Sequence, residues 1–279
     1  MALLVELAPK LFLKFKGNQL QKSVNFNSGS LIKIAKNYNE EIKLLIAAGG
    51  PIGMEIEKLV CDMKVDYRRI DIKDDASIDV LIEDKYNRSS ASGAIHRLTF
   101  DDIQKIKSAY ISGIYQEKSI VLPINEIEDE LANEFLKKAS DYYKSTIIFG
   151  DKAIYHLNKN PNIAFIKENS VIEEAPFKIV SEYELIKYSF SLVEDRKTYM
   201  IIPKENGILF FRDNICESVE VNSVNSDMLL FGALFVIENN ISMDNWARLL
   251  ASFAEASIKE RIGEISERSK KYRIGVSHR

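Results

Sequence analysis

The sequence has little cysteine. Its two residues, Cys61 and Cys216, stand far apart and outside any CxxC pair. That argues against a disulfide framework and a zinc site of ordinary spacing, and a cytoplasmic location is expected. Histidine is as scarce. His96, His156 and His278 fall at no metal-ligand spacing, so each reads as a surface or partly buried polar residue. Neither sign of charge dominates. Charged residues fill 28% of the 279 positions, yet the net charge is only -3 and no basic cluster alternates with aromatics. Nucleic acid is therefore not an expected partner. No apolar run is long enough to span a bilayer, so no membrane partner is expected either. The start, "MALLVELAPKLFLKFKG", lacks the basic opening and small-residue cleavage site of a signal peptide. Internal repeats and low-complexity segments are also lacking.

What is present suits one large domain: 46% of residues are hydrophobic. Short apolar runs alternate with helical spacing. "LLVEL" and "EIKLLIAA" read as strands, the second of the fully buried parallel kind. "GGPIG" and a helix over "MEIEKLVCDMK" follow. "DYRRIDI" and "SIDVLIED" are β-like, and Ile78, Val80 and Ile82 share one face of the second. "YNRSSASGA" reads as a loop and "TFDDIQKIKSAY" as a helix with a capping threonine. Strand-like "SIVLPI", "STIIFG" and "NIAFIKEN" alternate with helical "EDELANEFLKKASDYY", "DKAIYHLN" and "VSEYELIKYSFSL". "KTYMIIPKENGILFF" reads as two strands around a turn. A long helical tail from Met243 to Tyr272, broken near Gly263, follows, with Trp246, Leu249, Leu250 and Phe253 on its core face. This rhythm predicts βαβ units and a mostly parallel sheet covered on both faces. Ligands of such sheets bind at strand carboxyl ends near helix starts. The stretch "VNSVNSDMLLFGAL" is such a place: a polar turn running into an apolar helix, with Asp227 at the join. By residue type alone Asp227 reads as a helix N-cap.

The order and spacing of these segments resemble the ribokinase-like (PfkB-type) sugar kinases, closest to the 1-phosphofructokinase and tagatose-6-phosphate kinase branch. "GGPIG", Gly93, "AFIKEN", Gly207 and Asp227 with Gly232 and Leu234 carry the likeness, which spans nearly the whole chain. It implies a single domain over 1–279, a three-layer α/β fold and a small β-sheet lid from parts of 5–26 and 65–95. It also implies ATP and magnesium, a sugar or sugar-phosphate substrate, and a homodimer formed through the lid. Asp227 would be the catalytic base. Asn225, Ser226, Lys167 and Gly207 would meet nucleotide or anion, Gly29, Gly50 and Gly93 the substrate, and Asn169 and Glu173 the metal.

The departures from the family pattern sit in the chemistry. Asn225 and Ser226 replace the anion-hole glycines in a turn one residue shorter, and Asn225 in the left-handed region would rescue part of it. The sugar loop is "NSGSLI", keeping only Gly29. The magnesium motif from Asn169 has Ile172 in its fourth place, with Glu173 one residue late, and the lid arginine falls at Ser77. The expectation is a kinase-like protein with weak or no phosphotransferase activity that binds a nucleotide or sugar phosphate. The alternative is an active ATP-dependent sugar or sugar-phosphate kinase with an altered site.

Overall fold

A computed structural model describes residues 1–16, 19–83, 88–93, 97–125 and 127–279. His96, Glu126 and the start of the expected "YNRSSASGA" loop lie outside the described residues. The chain begins with β1 (Ala2–Glu6), whose apolar residues alternate between two cores. Ala2 and Leu4 face one, Leu3 and Val5 the other, as the period-two geometry of a strand buried on both faces requires. β4 (Ile42–Gly49) and β5 (Asp66–Asp75) pair on one side of β1. β8 (Ser119–Pro123), β9 (Ser145–Phe149), β10 (Ile163–Phe165) and β11 (Tyr199–Lys204) continue on the other, all parallel. β12 (Gly207–Arg212), β13 (Ile215–Glu220) and β14 (Gly275–His278) then run antiparallel and complete a ten-stranded sheet.

Helices cover both faces. α1 (Leu31–Asn37), α2 (Gly50–Asp62), α7 (Ser226–Glu238), α8 (Trp246–Glu255) and α9 (Ile262–Ser269) bury their apolar residues in the core that holds Leu4. α3 (Phe100–Ile114), α4 (Asp129–Asp141), α5 (Glu168–Glu174), α6 (Glu182–Val193) and a 3-10 stretch, Asp151–Lys159, build the opposite core. α7 is apolar on nearly every side, so it can only be an interior helix. A side chain at Gly232 would meet Phe253 of α8 at 2.8 Å, which sets how closely the two helices approach.

A second, four-stranded sheet holds β2 (Lys10–Lys16), β3 (Gln19–Asn25), β6 (Ile78–Glu83) and β7 (Arg88–Ser92). It is the expected lid, with two corrections. "DYRRIDI" is not a lid strand but the edge strand β5 of the main sheet: its alternation reflects an edge position, where one face stays wet. Arg88–Ser92, read as loop, is a strand that carries no large apolar residue to announce it. One further reading changes. The helical tail breaks at 256–261, ahead of Gly263, which lies inside α9. Beyond it Gly275–His278, for which the sequence offered no element, pairs with β13. Trp246, Leu249, Leu250 and Phe253 are buried as read. Among the described residues no helix is long and apolar enough to cross a membrane.

Candidate functional site

The chain moves outward from β1 in both directions, so its crevice opens at the carboxyl ends of β1 and β8. A cleft of about 240 Å³ lies there, walled by the ends of β8 to β11 and the start of α7. Asp227 lines it, and so do Asn27, Ser28, Ser226 and Lys167.

Asp227 does not cap its own helix. Asn225 does: its Oδ1 accepts from the Met228 N–H at 3.2 Å, and Asp227 is the second helical residue. The Asp227 carboxylate crosses instead to the loop before α1, where Oδ2 accepts from the Ser30 N–H at 3.0 Å. Gly29 makes this approach possible. It adopts φ +58°, and a Cβ there would lie 2.5 Å from Asp227 Oδ1. Gly29 thus lies directly against the carboxylate.

A second carboxylate holds the same loop from below. Glu6 ends β1 fully buried. Its Oε2 accepts from Asn27 N–H at 3.0 Å and from the Asn27 amide at 3.3 Å, and its Oε1 accepts from Ser28 N–H at 2.9 Å. Burial raises its pKa to about 7, against the lowering effect of the Ser28 and Asn27 hydrogen bonds. The Ser28 hydroxyl stands close enough to contribute to that lowering but makes no hydrogen bond of proper geometry. Glu6 was not singled out in the sequence; an acid closing an otherwise apolar strand was its only signal. The loop "NSGS" is therefore clamped between two of the chain's own carboxylates, which occupy the N–H groups of Asn27, Ser28 and Ser30.

The turn ahead of Asp227 is equally committed. Asn225 has φ -88°, not the left-handed value that would restore a glycine-like turn. Its N–H donates to the Ala254 carbonyl at 2.8 Å. That leaves the N–H groups of Ser226 and Asp227, at the start of α7, as the donors facing the cleft. Lys167 reaches the cleft, but its ammonium pairs with Asp151 at 2.8 Å.

The other expected site residues are scattered. Asn169 and Glu173 lie one turn apart on α5, both exposed. Among the described residues no group of three or more His, Cys, Asp or Glu side chains is arranged to hold a metal. Neither Asn169 nor Glu173 lines the cleft beside Asp227. Gly50 starts α2 at φ +64°, pressed against Asp75, and Gly93 donates its N–H to the Ile78 carbonyl beside the lid. Neither lines the cleft. Gly207 opens β12 in a separate groove of about 910 Å³, beside the β11–β12 turn. Glu168, Glu182, Glu205, Glu220 and Glu255 line that groove, and its one lysine, Lys204, is paired with Glu182 at 2.7 Å. With Lys204 and Glu182 neutralising each other, four carboxylates remain and give the groove negative charge.

Known structures with this arrangement include phosphofructokinases. A phosphofructokinase from Staphylococcus aureus superposes with a TM-score of 0.78 at 14% identity, over 100% of this chain and 99% of that one. The fold is theirs. A 1-phosphofructokinase from Thermotoga maritima gives 0.79 at 11% identity, over 99% of each chain. The phosphofructokinase-2 from Escherichia coli, in complex with fructose-6-phosphate, gives 0.73 at 12% identity, over 96% of this chain and 97% of that one. No protein-family model and no curated protein matches the sequence. The ribokinase-like, three-layer architecture with its small second sheet is thus shared at identities too low to carry the activity across.

Proposed function

We propose that this chain is a PfkB-type carbohydrate-kinase-like protein with weak or no phosphotransferase activity, a small-molecule binder on a kinase fold. The observation that carries this reading is the Asn225 N–H bound to the Ala254 carbonyl. Phosphoryl transfer rests on preorganised donors aimed at the charge that builds on the transferring group. Losing one such donor costs about 3 kcal/mol, a rate factor of about 100. Here the loss comes beside a groove lined by acidic residues near the β11–β12 turn. Asp227 retains the position of a base, but its carboxylate serves the Ser30 N–H.

The test is a coupled assay with ATP, magnesium and a panel of sugar phosphates that includes fructose 6-phosphate. No turnover is expected, either in the chain itself or after glycines are restored ahead of Asp227. Turnover that disappears in Asp227→Asn would establish the active-kinase alternative.

The lid supports a second copy of the chain as partner. Cross-strand register puts Leu13, Phe15 and Leu20 on the same face as Val80 and Ile82. Leu20 is 47% exposed and Ile82 49%. An apolar sheet face of this kind is a liability unless covered. A homodimer is expected in sizing with light scattering, and Ile82→Glu is expected to shift it to monomer. An unmodified chain that elutes as a monomer at micromolar concentration would sink the pairing.

A further inference from the structure

Glu6 stands where the lid is rooted. β1 ends at Glu6, and the chain runs on through residues 7–9 into β2. β3 then returns it through residues 26–30 to α1. The hairpin β2–β3 thus has two roots, and the Glu6 side chain bridges them. From the end of one root it accepts the Asn27 N–H, the Asn27 amide and the Ser28 N–H of the other.

This bridge is an acid in a dry place without a counter-ion. The carboxyl ends of β4 and β8, Ile46–Gly49 and Val121–Pro123, carry no ionisable side chain. α1 turns Leu31 and Ile34 inward and leaves Lys33 and Lys36 exposed. Lys10, beyond the first root, pairs with Asp79 at 3.9 Å. The one charged group from α7 is Asp227, a second carboxylate, which turns to the Ser30 N–H. A neutral acid suits such a site, and the Ser28 hydroxyl, buried and otherwise unpartnered, stands beside it to accept the acid's O–H. An ionised carboxylate suits it less: burial outweighs the N–H bonds, so the proton leaves only near pH 7.

The two roots differ in freedom. β1 lies between β4 and β8 inside the sheet and is held by both. The loop lies outside, with Asn27 and Gly29 exposed. Solvation of the charge therefore comes by the loop lifting, not by the strand moving.

We propose that Glu6 is a proton-operated latch at the root of the lid: the neutral acid holds loop 27–30 down, and its ionisation loosens the loop toward water. The same movement withdraws the Ser30 N–H from Asp227, so the latch governs both the anchorage of β3 and the freedom of the carboxylate in the cleft. It operates whether or not the chain transfers phosphate.

Backbone hydrogen exchange of the full chain, followed by NMR from pH 5 to 8 and corrected for intrinsic rates, tests the latch. Leu4 and Val121, paired core strands, report opening of the whole chain. The Asn27 and Ser28 N–H groups are expected to open more often than these. Their opening constant is expected to rise about a hundredfold across that range and to level off above pH 7, as release of one proton requires. In Glu6→Gln the loop opens more at pH 5, where an acceptor is lost, but opening no longer changes with pH. Asp227→Asn keeps the rise. Loop N–H groups that open only with the core strands, or at a rate that pH does not alter, would overturn the latch from the native chain alone, even where Glu6→Gln fails to fold. A rise that survives in Glu6→Gln, or disappears in Asp227→Asn, would overturn it as well.

Discussion

Raising the pH from 4.5 to about 7 lowers the folding stability of the chain by about 3 kcal/mol through Glu6 alone. Glu6 is fully buried and binds its proton more tightly in the folded chain than in the unfolded one. Its contribution is therefore complete below the unfolded carboxylate value near 4.5 and is lost as pH climbs through about 7. Above that the curve is flat with respect to this group. Glu117 and Glu217 are also pushed up by burial and add to the slope in the same direction. Comparison with Glu6→Gln isolates the one residue, because the other two titrate equally in both proteins. The variant has a lower baseline, since its amide N–H₂ faces N–H groups of Asn27 or Ser28 that Glu6 oxygens now accept. Its curve between pH 4.5 and 7 is nevertheless shallower. Urea denaturation at a series of pH values measures this. Parallel curves for the two proteins would show that Glu6 does not carry the effect.

Gly49→Ala is expected to destabilise the fold by about 4 kcal/mol or more, at the upper end for a single substitution. The reason is space rather than dihedral freedom, for Gly49 has φ -111° and ψ 169°, open to any residue. A Cβ would fall 2.1 Å from the Ile72 carbonyl oxygen and 2.3 Å from that of Asp74. Both are backbone, so β5 has to move off β4 to admit one methyl group. Gly50→Ala makes the control. Its Cβ would lie 1.5 Å from Asp75 Oδ1, the end of a side chain that can swing away. Its φ of +64° then sets the cost, about 1 to 2 kcal/mol. Denaturant midpoints of the two variants should differ widely; equal midpoints would refute the steric argument.

The parallel strands were readable because β4 and β8 are continuous apolar runs, which only a sheet covered on both faces can hide. β5 was readable as a strand but not as to its sheet. Ile70 and Ile72 alternate with charged residues, and that pattern fits a main-sheet edge as well as a lid. β7 and β14 were illegible, since "RSSAS" and "GVSH" hold almost nothing apolar and exist through pairing with β6 and β13. At the site, the position of Asp227 followed from the order of segments, but its partner did not. The Ser30 N–H lies 197 positions away in sequence, and no local pattern encodes that contact. The same holds for the Asn225 N–H and the Ala254 carbonyl, which meet only because α8 packs beside α7.

Two short straps tie the lid to strands of the main sheet, residues 7–9 from β1 and 76–77 from β5, and the clamped loop 26–30 leads from β3 to α1. Leu7, Ala8, Ala76 and Ser77 are all buried, and the Leu11 N–H ties one strap to the Ser77 carbonyl of the other at 2.9 Å. Parallel cords bonded to each other, with the clamped loop beyond β3 beside them, oppose twisting and sliding of the flap. Its compliant direction is a bend across both straps together. Each such bend lifts the Leu11 and Val24 side chains away from the interior, so the flap carries its own return spring.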